Sequence, residues 1–297
     1  MIGGSPYLAA GYRVLKLEPH LHTVHSDGSD TIAAMFEACR AAGYDAVALT
    51  DHNTVAGHAE AREVAAGLGL IFVPGVEVTT FHGHAVVLGS RSVPEWRDLE
   101  ARGMDALAAD VHNDGGVLSV AHPAALGSPL CSGCAWDWPT QPASIDGMEV
   151  FSAARPHTAV PLALWRAALS RGSRVAPFGA GDVHSTAAAA EPRPATFVYA
   201  AGTSTAAVLD ALRNRRLFAS AGPPLDFWLS AADGASALAG ERVTERGWTP
   251  HVSDPAATVR EVSVESGERS LYAELRDPQD RLLALSAPIW ITMDTSQ

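Results

Sequence analysis

Cysteine is scarce in this chain: three in 297 residues, two of them in Cys131-Ser-Gly-Cys134. A structural zinc knuckle shows a second thiol pair, so Cys131 and Cys134 read as two free thiols or a small redox pair. Basic side chains are also few, 21 Lys and Arg against 33 Asp and Glu, a formal charge of −12. Binding to nucleic-acid polymers relies on Lys and Arg along the phosphate track, and this balance disfavours it while leaving small substrates open. No run reaches the length of about 18 apolar residues needed to span a bilayer, which argues against a membrane partner. Met1-Ile2-Gly3-Gly4-Ser5 lacks a basic segment followed by an apolar one, so the expected location is cytoplasmic. With 47% hydrophobic and 18% charged residues, the composition suits a globular chain. Its length allows one large α/β domain, or a domain of roughly 220 residues with a smaller appendage.

What is present is histidine and carboxylate in a telling order. A β-prone run of mixed apolar and basic residues from Tyr12 to Leu17 leads into Pro19-His20-Leu21-His22-Thr23-Val24-His25-Ser26-Asp27-Gly28. Side chains alternate along extended backbone, so His20 and His22 share a face and can reach one metal ion. The Ser26-Asp27-Gly28 turn can fold a carboxylate back toward them. An isolated His-x-His equally fits a polar surface loop; the recurrence of His, Asp and Glu at later strand ends favours the metal reading.

Asp30 is the expected N-cap of a helix whose stripe is Ile32, Met35, Phe36 and Cys39, closed by Gly43. Ala46 to Thr50 reads as a buried parallel strand ending in Asp51-His52-Asn53. Thr54 is expected to cap a second helix through about Gly67, with His58 on its surface, and Ile71 to Val78 is a strand with Glu77 near its end. His82 and His84 precede the strand Ala85 to Leu88. Pro94 is expected to open a helix reaching Asn113, where His112 serves the helix end, and Val117 to Ala121 ends in His122-Pro123. A long Trp136- and Trp138-bearing loop, residues 124–144, reads as a site cover or a mobile segment. Further strands are Ile145 to Phe151 with Glu149, Val175 to Ala180 leading to Gly181-Asp182-Val183-His184, and Ala195 to Tyr199. Helices surround Trp165 and residues 204–214. From about Pro223 the pattern turns to short alternating runs, read as an all-β appendage. The division is therefore 1–222 and 223–297.

Strand ends supply His20, His22, Asp27, His52, Glu77, His122, Asp182 and His184, the face on which αβ-barrels assemble their sites. Imidazole and carboxylate donors without thiolate suit Zn, Mn or Fe(II), and their number implies more than one ion, with Glu77 as the natural bridge. Arg155 and His157 can contact a substrate anion or protonate a leaving group, although a solvated helix-entry loop explains them as well.

The pieces His20-x-His22 with Ser26-Asp27-Gly28, Asp51-His52-Asn53, Gly75-Val76-Glu77, Ala121-His122-Pro123 and Gly181-Asp182-Val183-His184 resemble, in order, those of the PHP (polymerase and histidinol phosphatase) superfamily. The resemblance covers about residues 14–220, and Leu283 to Ile291 resembles the C-terminal β region of its CehA/McbA branch, which includes a carbaryl hydrolase. It implies a distorted (βα)7 barrel with a small C-terminal all-β appendage and two or three divalent ions (Mn, Zn or Fe). His20, His22, Glu77 and Asp182 would hold one ion, Asp27, His52 and His184 another, and Glu77 would bridge to a further ion at His122. His84 matches a ligand of some members and is open between ligand and supporting residue; His25 reads as substrate-side or surface. Glu77, His122, Asp182 and His184 are the expected catalytic set. The implied activity is hydrolysis of small phosphate esters by a metal-activated hydroxide. A carboxyl- or carbamate-ester hydrolase and a non-catalytic metal-binding module are the alternatives. The oligomeric state is not read from these residues.

Overall fold

Short apolar runs form the strands around which the chain is wound, because a strand covered on both faces has no face left for polar side chains. The computed structural model describes residues 5–127, 133–138, 144–153 and 158–293. Its first half runs α1 (Pro6–Ala9), β1 (Arg13–Glu18), α2 (Ile32–Ala41), β2 (Ala46–Leu49), α3 (His58–Leu68), β3 (Ile71–Thr80), β4 (Gly83–Leu88), α4 (Leu99–Arg102), α5 (Met104–Asn113) and β5 (Val117–Val120). Next come β6 (Gly147–Ser152), α6 (Ala159–Ser170), β7 (Ala176–Ala180), α7 (Thr186–Ala189), β8 (Ala195–Ala200), α8 (Thr205–Arg213) and β9 (Leu217–Ser220). Only strands follow among the described residues: β10 (Phe227–Ser230), β11 (Ser236–Leu238), β12 (Arg242–Thr244), β13 (Thr249–Val252), β14 (Thr258–Ser263), β15 (Arg269–Arg276), β16 (Leu282–Ser286) and β17 (Ile289–Thr292).

Strands β1 to β7 lie side by side in chain order. The pairs β1–β2, β2–β3, β5–β6 and β6–β7 are parallel, whereas β4 runs antiparallel to both neighbours because Phe81-His82 joins it to β3 as a hairpin. The far edge curls back toward the start of the sheet. His22 N–H donates to the Val183 carbonyl at 2.8 Å and Val183 N–H to the His20 carbonyl at 3.1 Å. Lower down, Gly179 of β7 exchanges hydrogen bonds with the Thr196 hydroxyl of β8. The fold is thus mixed α/β with a curled, half-barrel sheet, and the strand ends meet at one rim.

Several local expectations are corrected. Thr31, not Asp30, caps α2, its side chain accepting from Ala34 N–H; the Asp30 carboxylate instead receives Thr186 N–H at 2.8 Å and ties the first loop to α7. The α3 helix starts at His58 rather than after Thr54, whose hydroxyl closes a turn onto Ala56 N–H. The single helix expected from Pro94 is two, because Gly103 at φ 78° and ψ 165° takes a conformation no helix contains.

The strands beyond residue 222 extend the main sheet through β16, which pairs with β9 at Leu285 and Ala219, while β10, β11 and β13 form a separate three-stranded sheet. Trp290, 2% exposed, shares an apolar cluster with Trp165, Ala219 and Leu285. Tyr7 stacks on Tyr199 and hydrogen-bonds to Phe227 and Ala239, pinning α1 onto the β-rich part.

Candidate metal centre

The segment leaving β1 is held extended by its bridge to Val183, so His20 and His22 are both fully buried on one side and Leu21 enters an apolar cluster on the other. Glu18, also fully buried, anchors the segment: one oxygen accepts His20 N–H at 3.1 Å and Gly181 N–H at 2.8 Å. Burial pushes its pKa up to about 7, against the pull of those donors. Beyond His22 the chain turns tightly enough that a Cβ on Gly28 would lie 2.6 Å from the His22 carbonyl. Asp51 clamps this turn, accepting Thr23 N–H, the Thr23 hydroxyl and the Ser26 hydroxyl at 2.6 to 2.8 Å.

Glu77 is the centre of the arrangement. Its Oε2 lies 3.1 Å from His20 Nε2, 3.2 Å from His22 Nε2 and 3.1 Å from His52 Nδ1, and its Oε1 3.0 Å from His84 Nδ1 and 3.1 Å from His122 Nε2. Burial alone would raise this carboxyl group; the surrounding imidazoles, His20 foremost, hold it well below the usual range. Asp182 Oδ1 lies 3.4 Å from His20 Nε2 and 3.3 Å from His22 Nε2. Asp27 Oδ2 lies 3.4 Å from both His52 Nε2 and His184 Nε2, whose hydrogen bonds hold Asp27 below the carboxylate range. Burial opposes charge on His22, yet Asp182 and Glu77 raise it to about 9.

Three sets of donor atoms lie within 4.8 Å of one another: His22, Asp27, His52 and His184; His20, His22 and Asp182; and His52, Glu77 and His84. Buried donor atoms at this centre, namely His20 Nε2, both His22 ring nitrogens, Glu77 Oε2, His84 Nε2 and His122 Nδ1, have no hydrogen-bond partner. For His20 Nε2, His22 Nε2 and Glu77 Oε2 the approach is close without hydrogen-bond geometry, from atoms that lost water on burial, as cation ligands show. The residues fit divalent ions of the N/O-preferring kind. The backbone is strained at the same rim: Asn53, His122 and Asp182 have φ of 50°, 25° and 47°.

The β3–β4 hairpin turns His84 inward at 5% exposure and leaves His82 outside against Asp137. His58, expected at the surface, is buried; its Nε2 donates to the Gly75 carbonyl at 2.8 Å and steadies β3 two residues before Glu77. His112 meets the Asp146 carboxylate at 2.6 Å rather than only the helix end. His25 stands apart from the cluster, facing Glu60. Arg155, His157 and Cys131 lie outside the described residues, while Cys134 is disulfide-bonded and Cys39 is a buried free thiol. Asp51, Glu18 and Glu149 were not expected as supports; the position of each beside a motif or on its flanking strand was the available signal.

Residues 18–123 match the family model of the PHP domain. A phosphoribosyl 1,2-cyclic phosphate 1,2-diphosphodiesterase from Eggerthella lenta is 40% identical over 62 residues, 21% of this chain; the match spans only 24% of that relative. An uncharacterized protein of Methanocaldococcus jannaschii is 26% identical over 154 residues, 47% of this chain and 82% of that one. Among solved structures, a two-domain protein from Bacteroides vulgatus containing a predicted PHP-like metal-dependent phosphoesterase aligns with a TM-score of 0.58 at 20% identity, over 94% of this chain and 85% of that chain. This last likeness speaks for the fold. The family-model match supports a PHP domain over residues 18–123. No helix among the described residues is long and apolar enough to cross a membrane.

Proposed function

We propose that this chain is a metal-dependent phosphoesterase of small phosphate esters, on a distorted (βα)7 barrel of the CehA/McbA branch. The observation that carries the reading is the convergence of five imidazoles on Glu77, with Glu77 Oε2, His20 Nε2 and His22 Nε2 buried and unpartnered. His20, His22, Glu77 and Asp182 would hold one ion, Asp27, His52 and His184 a second, and Glu77 with His84 and His122 a third, so that Glu77 is a shared ligand, the metals being Mn, Zn or Fe. When bound, such ions supply Lewis-acid polarisation of an ester oxygen and lower the pKa of a water molecule. The protein's part is to shape the approach. His20, His22 and Glu77 are shut away from solvent, whereas the side chains of His52, His184 and Asp27 are 24%, 37% and 55% exposed, so substrate enters from the Asp27–His184 side. His184 at that rim would hold its ion beside the incoming ester, its Nδ1–H donating to the Asp182 carbonyl at 3.0 Å, and Arg155 and His157 are the proposed contacts for the substrate anion or the departing oxygen.

The acidic balance of 33 against 21 supports small esters over polymers, and a cytoplasmic setting is part of the same proposal. All nine proposed ligands precede residue 222, which is the ground for treating 1–222 as the catalytic unit and 223–297 as its support. The test is one assay series at equal enzyme and metal, with aryl phosphates, nucleotides, oligonucleotides and aryl carbamates. Fastest turnover of a small phosphate ester, abolished by His20→Ala, is expected. Faster turnover of the carbamates would overturn the phosphoesterase assignment, and faster cleavage of oligonucleotides the size preference.

A further inference from the structure

Glu149 of β6 is, with Glu18 and Glu77, a third buried glutamate at this rim, 1% exposed. Strand alternation turns its neighbours Met148 and Val150 into an apolar cluster and Glu149 to the opposite side, toward the donors. Its bonding differs from that of Glu77. Glu149 Oε1 lies 2.7 Å from His20 Nδ1, and Oε2 accepts the backbone N–H of His122 at 2.7 Å. Both oxygens are therefore occupied, and neither is among the unpartnered buried atoms, whereas Glu77 Oε2 is.

We propose that Glu149 is the positioning residue of the metal centre, one carboxylate that fixes the tautomer and direction of His20 and the strained backbone of His122 together. The inference rests on the metal-centre reading above. An ionised carboxylate only accepts, so His20 Nδ1 carries the proton and Nε2 is left bare. That bare nitrogen is the one lying 3.1 Å from Glu77 and 3.4 Å from Asp182. The second bond acts on a residue at φ 25°, a conformation that persists only where its surroundings hold it. His122 then presents Nε2 to the other oxygen of Glu77 at 3.1 Å. Glu149 thus couples ligands on the two sides of Glu77 without touching an ion. Supports of this kind typically change metal affinity by about 10–100-fold.

Glu149→Gln separates this role from a general contribution to folding. The glutamine keeps the volume and can accept from His20 Nδ1–H, but its amide then faces His122 N–H donor to donor, so one of the two bonds is lost. Zinc titration of the full chain should show affinity weakened about 10–100-fold, with the far-UV circular dichroism of the metal-free protein retained. A second readout needs no variant: in the zinc-loaded, histidine-¹⁵N-labelled wild type, His20 should be the Nδ1–H tautomer, its proton slow to exchange. Zinc affinity within threefold of wild type in Glu149→Gln, or an Nε2–H tautomer at His20 in the wild type, would overturn the proposal while leaving the metal centre standing. Failure of the wild type to take up zinc overturns both.

Discussion

Replacing Glu77 by Gln tests the arrangement at its centre. The side chain keeps its volume, and one oxygen can still accept a hydrogen bond. The other becomes an NH₂ group, a donor with no lone pair for a cation, facing imidazole nitrogens that stand 3.0–3.2 Å away in the wild type. Losing even a supporting partner of a ligand costs about 10–100-fold in affinity, so losing a shared ligand should cost about 100-fold or more. At a metal concentration of about 1,000 Kd, binding stabilises the wild type by about 4.1 kcal/mol; a hundredfold weaker site at the same concentration gives about 1.4 kcal/mol. In a chain of 297 residues, about 2 °C per kcal/mol translates these into metal-dependent increments in Tm of about 8 °C and about 3 °C. Turnover should fall by at least about 10²–10³, the usual effect of removing one preorganised electrostatic group. Thermal unfolding with and without added Zn or Mn, together with metal analysis and turnover, makes the measurement. An unchanged increment with unchanged stoichiometry would refute the bridging position of Glu77. Loss of metal-free stability in step with activity would point to a structural role.

Other perturbations probe the supports. Gly28→Ala places a methyl group 2.6 Å from the His22 carbonyl, so the turn must open and carry Asp27 away; metal analysis should show fewer ions per chain, and full occupancy would contradict the need for that close approach. Trp290→Ala should cost about 3–5 kcal/mol and promote aggregation, since Trp290 shares a core with Trp165 and Leu285; denaturant unfolding with wild-type midpoint would refute that packing. Burial lowers the His58 pKa, so the folded chain prefers the neutral ring. The resulting stability is complete above the unfolded value of about 6.5 and is lost as pH falls through the folded one. His58→Gln, which keeps a donor for Gly75, should therefore flatten the acid-side decline of Tm in the metal-free protein, and parallel curves for the two proteins would exclude the effect. Dialysis against a chelator should abolish turnover, with recovery on adding back Mn, Zn or Fe(II); activity that survives complete metal removal would refute a metal-dependent reaction.

Local pattern was enough to show where the donors sit along the chain. His20-x-His22, Asp51-His52-Asn53, Glu77, His122-Pro123 and Asp182-Val183-His184 each end an apolar run, and extended backbone obliges alternate residues to share a face. Even the paired burial of His20 and His22 around Leu21 follows from that rule. Which of two neighbouring histidines turns inward did not follow: His84 and His82 are sorted by the register of the β3–β4 hairpin, a matter of pairing rather than composition. The roles of Glu149, Asp51 and Glu18 depend on partners 129, 28 and 163 residues away, distances over which no local periodicity carries information. His58 looked like a surface residue because helical spacing reports a face but not what the face meets, and in the fold it meets the Gly75 carbonyl. The change of texture near Pro223 was visible as a loss of helical stripes. That β16 then pairs with β9, so that Trp290 and Trp165 share one core, was decided only when the sheet formed, because strand pairing is satisfied by any exposed edge of the right length and the chain's topology selects which edge is offered.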